Sequence, residues 1–443
     1  MKRRQLPLRF AFFAEECPRC AHRSFDMTPH LLAWGIAALS TLGVIARPFG
    51  WPEFIWAVAG AVLLVVVGTL SPGEAAAAAG KGIDVYLFLI GMMLLAEIAR
   101  EEGVLDYLAA LAVRHSRQSA GRLFAIVYGV GTLVTIFLSN DATAVVLTPA
   151  VYAAATAAKV KPLPYLFVCA FIANAASFVL PISNPANLVI YGDHMPALPV
   201  WLAHFSLPAL AAIASTFVIL RIALHPALRE TVAADVPEAP LGRGGKIVAC
   251  GIGLTALVLL GASLVGLQLG LPTLLASLAV VGVTLALARQ SPLTVLKGIS
   301  WGVLPMVAGL FILVEGLGHT GVLAMLSQWL KAGATGALAE TAWAAGLLVA
   351  FGSNLINNLP MGLIAASTSQ AAQVPPQVTE SLLIGVDIGP NLSVTGSLAT
   401  ILWLIALRRE GISVSFWRFF KLGLLVMPAS LLLALAALLL QPR

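Results

Sequence analysis

The chain has 443 residues, 59% of them hydrophobic and only 10% charged, with a formal net charge of +6 and a mean hydropathy of +0.94. A soluble chain of this length carries about a quarter of its residues charged, so a water-facing surface cannot be built for the whole molecule. Disorder, coiled coil and nucleic-acid binding are excluded, and the positive charge, set in short gaps between apolar runs, reads as topology in a lipid bilayer.

In chain order, residues 1–28 form an expected cytoplasmic tail: Lys2, Arg3 and Arg4 open it without the long apolar core of a signal peptide, and Met27 is a second candidate start. Cys17, Cys20 and His22 amount to half a metal site that no second Cys pair completes, so a solvated tail is expected, with no metal and no cofactor.

A hydrocarbon layer about 30 Å thick needs about 20 helical residues. Apolar runs of that order lie at 29–46, 53–70, 83–99, 163–192, 200–222, 246–266, 271–288, 299–318, 378–407 and 416–440. Residues 104–116 are too short to cross alone. Residues 121–158 and 336–374 are interrupted by Ser139-Asn140-Asp141 and by Ser353-Asn354 with Asn357-Asn358-Leu359-Pro360. Each reads as a re-entrant hairpin, which is tolerated at membrane depth only when buried in protein or lining a wet cavity. Runs 163–192 and 378–407 contain Pro181 to Asn187 and Gly389-Pro390-Asn391 with Thr395-Gly396-Ser397, so both read as discontinuous helices. The expected architecture is an all-α polytopic membrane protein of about 10–12 segments. A first half (29–224) and a second half (247–443) are joined by a cytoplasmic linker, 225–246.

With the N-terminus placed in the cytoplasm, most Lys and Arg from Arg114 to Lys421 fall inside, leaving Arg47, Arg100, Lys331 and Arg443 outside. A shift of 214 residues places Ser139 and Asn140 on Ser353 and Asn354, Pro162 on Pro376 and Ser183 on Ser397. The halves then run in opposite directions, as inverted repeats, a pattern of secondary transporters with a binding site near the midplane. Polar residues also glue membrane helices together, but glue does not explain two polar tips at one distance from two broken helices.

Asp141, Glu315 and Asp387 are the acids inside apolar runs, where an ionisable group is costly and marks function. Burial disfavours a charged carboxylate, so Asp387 first and Asp141 second are candidate proton carriers. Asp141 could instead cap the helix beginning at Ala142. Glu315, four residues before His319, suits a structural ion pair, and Asp84 and Glu97 read as solvated span ends. Ser139, Asn140, Ser183, Asn184, Asn187, Ser353, Asn354, Asn357, Asn358, Asn391, Thr395 and Ser397 are the candidate substrate-binding residues, with Asn174 a further neutral donor. Such a lining suits a small hydroxylated solute; paired basic residues for an anion are lacking. No HExxH, GxSxG or P-loop pattern is present, which argues against an enzyme or an ATP-binding chain.

Phe137 to Pro149 (FLSNDATAVVLTP), Ser353 to Pro360 (SNLINNLP) and Gly385 to Asn391 (GVDIGPN) followed by Gly396 to Trp403 (GSLATILW) resemble the arsenical pump membrane proteins, the ArsB-type arsenite and antimonite permeases of the ion transporter superfamily. The resemblance runs from about residue 30 onward. It implies export of arsenite and antimonite across the bacterial inner membrane, either in exchange for protons or as the membrane partner of an ArsA-type ATPase. It also implies a homodimer with scaffold and transport domains. Some relatives carry Asp where this chain has Asn174, which leaves proton coupling to Asp141 and Asp387. A sodium-coupled anion or dicarboxylate carrier, a sodium/proton antiporter and the passive subunit of an ATP-driven pump are the alternatives.

Overall fold

The computed structural model describes residues 27–233 and 240–441, so Cys17, Cys20, His22 and nearly all of the expected tail lie outside the described residues. The first half comprises α1 (Met27–Ala46), α2 (Glu53–Val66), α3 (Pro72–Gly80), α4 (Ile83–Glu101), α5 (Val104–His115) and α6 (Ala120–Leu138). It continues with α7 (Asn140–Ala142), a π-helical turn (Thr143–Leu147), α8 (Thr148–Ala157), α9 (Leu163–Ala175), α10 (Pro185–Tyr191) and α11 (Leu198–Ala223). The second half comprises α12 (Arg243–Leu264), α13 (Gly270–Ala288), α14 (Pro292–Gly298), α15 (Val303–Gly318), α16 (Val322–Gly336) and α17 (Leu338–Ile356). It ends with α18 (Asn358–Ala372), α19 (Pro376–Ile388), α20 (Leu398–Arg409) and α21 (Phe416–Leu439). Among the described residues the only β-pairing is one bridge between Ser119 and Thr231.

The same local chemistry recurs in both halves. Ser71 and Ser291 cap α3 and α14, each followed by Pro at the first helical position. Each short helix then meets a long one at a bend, 50° between α3 and α4 and 41° between α14 and α15. Pro208 and Pro428 sit inside α11 and α21. The molecule is therefore two inverted repeats, each with an interrupted hairpin (α6 to α8, α17 to α18) and a broken helix (α9 to α10, α19 to α20). Among the described residues six helices are long and apolar enough to cross a membrane, or eight if the bent pairs count as single spans. The expected 10–12 also counted shorter apolar helices such as Glu53–Val66 and Leu163–Ala175. Leu31, Leu39, Val66, Ile222, Leu257, Leu287 and Leu433 project outward as a lipid-facing surface.

Close backbone approaches fix the direction of each helix. Glu102, after α4, lies against Gly244 and Gly245 at the start of α12, so α4 ends where the linker is. Asp84 and Gly91 meet Gly270 and Thr273 in that order, which makes α4 and α13 parallel; Phe54, Ala57 and Leu64 meet Gly302, Gly309 and Gly316, which makes α2 and α15 parallel. Trp56 covers Gly43 and Ser40 covers Gly60, so α1 is antiparallel to α2 and begins at the end far from the linker. This corrects the sidedness read from the sequence, which put the chain start and the linker on one side. The cause lies at α5: residues 104–116 are too short to cross alone, yet the expected sidedness puts Arg100 outside and Arg114 inside, whereas Glu102 before α5 and Gln118 after it both lie at the linker end, the latter accepting a hydrogen bond from Val232 N at 3.1 Å. Arg100 accordingly joins the linker end, and so does Arg47, within electrostatic reach of Arg408.

Candidate functional site

Each hairpin turns at a single strained residue. Ser139 has φ 96°, ψ 162° and Asn357 has φ 76°, ψ 154°, a region that glycine normally occupies alone and that costs about 1–3 kcal/mol for other residues. These tips are 218 residues apart, whereas the broken helices repeat at 213, α9 onto α19 and Asn184 onto Ser397. The uniform shift of 214 is thus corrected: Ser353 lies one turn before the second tip, inside α17, with its hydroxyl donating to Val349 O at 2.9 Å. The first half has five more residues between tip and broken helix, taken up by the π-helical turn and a longer connection.

Unwound backbone at each break is held by side chains. Asn187 Nδ2 donates to the carbonyls of Ser177, Leu180 and Pro181 at 2.9, 3.3 and 3.3 Å. Ser183 Oγ donates to Ile136 O at 3.0 Å, joining the first break to the first hairpin. In the second half Asn358 N donates to Gly396 O at 2.8 Å and Asn357 Nδ2 to Thr395 O at 3.3 Å. Asn354 Nδ2 reaches Gly389 O at 2.9 Å, while its Oδ1 accepts from Ser393 at 2.8 Å and its backbone carbonyl accepts from Thr395 at 3.1 Å. Ser397 caps α20 through Thr400 N at 3.1 Å. Asn391 Nδ2 donates to Phe171 O at 3.0 Å, and its Oδ1 accepts from Asn174 Nδ2 at 3.0 Å, so the two broken helices are bonded to each other. In these residues polarity maintains the unwound backbone.

A smaller group faces a central pocket with room for about one water-sized sphere, near 10 Å³. Asn140, Asp141, Asn184 and Asn358 line it, with Leu89, Pro185, Val303 and Leu398 as apolar walls. Asn140 and Asn358 follow the two tips, and the Oδ1 of each is buried without a partner. No basic residue lines this pocket. Asp141 lies in the first helical turn after Ser139 and does not cap it; its carboxylate makes no hydrogen bond or ion pair among the described residues. Ser139 and Asp141 also line a neighbouring cavity of about 70 Å³ at the linker end. Asp387 is fully buried outside the pocket wall, where its Oδ1 accepts from Asn184 Nδ2 at 2.7 Å. Its Oδ2 has no partner, since the Ser177 hydroxyl donates instead to Asn174 O at 2.7 Å. Of the two expected acids, one therefore lines the pocket and the other is linked to it by its hydrogen bond with Asn184.

The expected ion pair of Glu315 and the expected solvated end at Glu97 are both corrected. Glu315 pairs with Lys81 at 2.7 Å at the far end, while His319 lies 3.9 Å from Glu74, because the α3–α4 bend brings Lys81 over Glu315. Glu97 is not a solvated end: it is 7% exposed and lines the linker-end cavity. Among the described residues no cluster of three His, Cys, Asp or Glu could hold a metal ion.

An all-helical chain with inverted repeats, paired broken helices and a polar pocket between them is a multi-pass membrane transporter. Residues 41–384 match the profile of the CitMHS citrate transporter family, and the chain belongs to that family. It is 29% identical over 427 residues to an arsenical pump membrane protein of Escherichia coli, covering 93% of this chain and 99% of that one. It is 24% identical over 421 residues to a putative arsenical pump membrane protein of Bacillus subtilis, covering 88% and 95%. Its fold is shared with the crystal structure of the YdaH transporter of Alcanivorax borkumensis, at a TM-score of 0.55 and 18% identity over 93% of this chain and 97% of that one.

Proposed function

We propose that this chain exports arsenite and antimonite across the bacterial inner membrane in exchange for protons. The observation that carries the reading is the pocket lining: two orphaned amide oxygens, Asn140 and Asn358, with Asp141 and no basic residue. Arsenite is an uncharged trihydroxide at neutral pH, and its hydroxyls would donate to those oxygens. A free polycarboxylate would need a cationic clamp that this lining lacks. The arsenical pumps among its relatives support the same substrate class.

In the proposed cycle Asp141 exchanges a proton with whichever side the pocket faces, and its charge state alters the pocket's hold on the neutral solute. Asp387 takes part through Asn184: a protonated carboxyl there turns an acceptor for the amide into a competing donor and changes where Asn184 points. The basic linker end is cytoplasmic in this reading, which puts the start of α1 outside. The reading further includes a homodimer.

Everted membrane vesicles with an imposed proton gradient, without ATP or sodium, test the reading. Arsenite uptake that a protonophore abolishes and excess citrate leaves intact is expected. Uptake only after sodium is added would assign the chain to sodium-coupled anion carriers. Uptake only with ATP and an ArsA-type ATPase would make it the passive half of a pump.

A further inference from the structure

The linker-end cavity of about 70 Å³ shares Leu89, Asp141, Pro185 and Val303 with the central pocket, so Asp141 stands in the wall between them. The cavity holds one other carboxylate, Glu97 on α4, together with the hydroxyl-bearing Ser139 and Ser300. Glu97 is held in place from two sides. Arg100 binds it bidentately, Nη2 to Oε1 at 2.6 Å and Nε to Oε2 at 3.1 Å, and the Arg100 side chain is itself 48% exposed at the linker end. Across from it stands Gly298, where any Cβ would fall on the Glu97 carboxylate. A nearly buried acid thus has its charged partner in water on one side and a cavity leading to an unpaired carboxylate on the other.

The remaining charged groups near this end of α4 include Glu101 on the same helix, Glu102 directly after it, Lys297 on α14, Arg243 and Lys246 on α12 and Asp106 on α5. None of them lines the cavity; Glu97 and Asp141 are its two titratable groups.

Resting on the proton-coupled reading above, we propose that Glu97 is the proton-exchanging group at the linker-end mouth of this cavity. It takes a proton from, or releases one to, the water at that end and exchanges it with Asp141 through water in the cavity, which has room for more than one water and offers Glu97, Ser139, Asp141 and Ser300 as polar partners among otherwise apolar walls. No other bond changes: one carboxyl loses the proton that the other gains. Arg100 and the bare backbone at Gly298 are positioning elements that keep the Glu97 carboxylate at the rim.

The test uses the purified full chain in proteoliposomes, comparing proton-driven arsenite uptake with arsenite–arsenite exchange at equal pH, which needs no net proton movement. Glu97→Gln is expected to slow driven uptake by about a hundredfold and to flatten its dependence on linker-side pH, with exchange unchanged. Glu97→Asp is expected to restore most of the rate, and Gly298→Ala, which displaces the carboxylate without removing it, to fall between. Glu97→Gln with the wild-type rate and pH profile would overturn the proposal. Equal loss of uptake and exchange would also overturn it, assigning Glu97 to structure alone. Wild-type exchange without any proton-driven uptake is a separate result: it defeats the coupling reading itself, and this inference with it.

Discussion

Asn174 and Asp387 occupy the same position on the two broken helices, each the twelfth residue of a thirteen-residue segment, α9 and α19. Both are buried, and both bond across to the other half: Asn174 to Asn391 at 3.0 Å and Asp387 to Asn184 at 2.7 Å. The pseudo-symmetric frame thus offers two equivalent places for an acid, and this chain fills one. Asp387→Asn is the informative change, because an amide oxygen still accepts from Asn184 while the ionisable group is gone. The expected result is a folded, inserted protein whose pH-driven arsenite uptake falls by about a hundredfold or more. Normal uptake against a gradient would remove Asp387 from the coupling scheme.

Asp141→Asn separates the two acids. It alters the group that touches the pocket without touching the Asn184 bond, so it is expected to change the apparent affinity for arsenite as well as the pH dependence of uptake. Asp387→Asn is expected to change mainly the latter. Identical kinetic profiles for the two variants would contradict the division between a pocket-wall acid and a buried positioning acid.

The hairpin tips make a prediction about stability. Ser139 holds a backbone conformation in which a Cβ costs about 1–3 kcal/mol. Ser139→Gly is expected to raise the melting temperature of the detergent-solubilised protein, and Ser139→Val to lower it, with the same order at Asn357. A drop in melting temperature on Ser139→Gly would show that the tip is not strained.

Helix contact through glycine makes another. A Cβ at Gly385 would lie 2.3 Å from the carbonyl oxygen of Gly346, and one at Gly389 would lie 2.4 Å from that of Ala350; backbone on the facing helix cannot swing away. Gly385→Ala is expected to destabilise the α17–α19 contact by about 1–3 kcal/mol. Gly129→Ala, with open space around it, is the control. Thermal unfolding of both variants decides the matter, and equal stability would mean that the two helices do not meet so closely.

Sidedness is checked by cysteine labelling in a background lacking the native cysteines. Ser413→Cys, between α20 and α21, is expected to react with an impermeant thiol reagent from the cytoplasmic side only. Glu340→Cys, at the start of α17, is expected to react from the outside only. The reverse pattern would place the positively charged linker end outside, against the distribution of Lys and Arg.

The interruptions were legible because Pro, Gly and Asn clusters have no place in a continuous apolar helix, and both hairpins and both broken helices stand where those clusters are. Their register was not. Ser353-Asn354 matches Ser139-Asn140 by residue type, yet the second chain reversal comes one turn later at Asn357, and only backbone angles distinguish the two. The expected sidedness goes astray at α5 because it assigns Arg100 before that helix and Arg114 within it to opposite sides, although a run of 12 residues too short to cross leaves both at one end. Glu97 reads as solvated because it flanks a span at the interface; its carboxylate instead lies against Gly298, 201 positions away in the chain. The roles of Asn354, Asn391 and Asn187 in holding unwound carbonyls follow from contacts that no spacing reveals.

The five extra residues between the first tip and its broken helix, and the π-helical turn among them, bear on energetics rather than on binding. Two identical halves related by inversion would give two facing states of equal free energy, mirror images with no preferred resting side. In this chain the halves differ in length beside the site and in chemistry at Asn174 and Asp387. Under the proposed exchange cycle the degeneracy is lifted, so the empty transporter would rest with its pocket turned toward one compartment, and a bound solute or proton would work against a bias already present in the covalent chain.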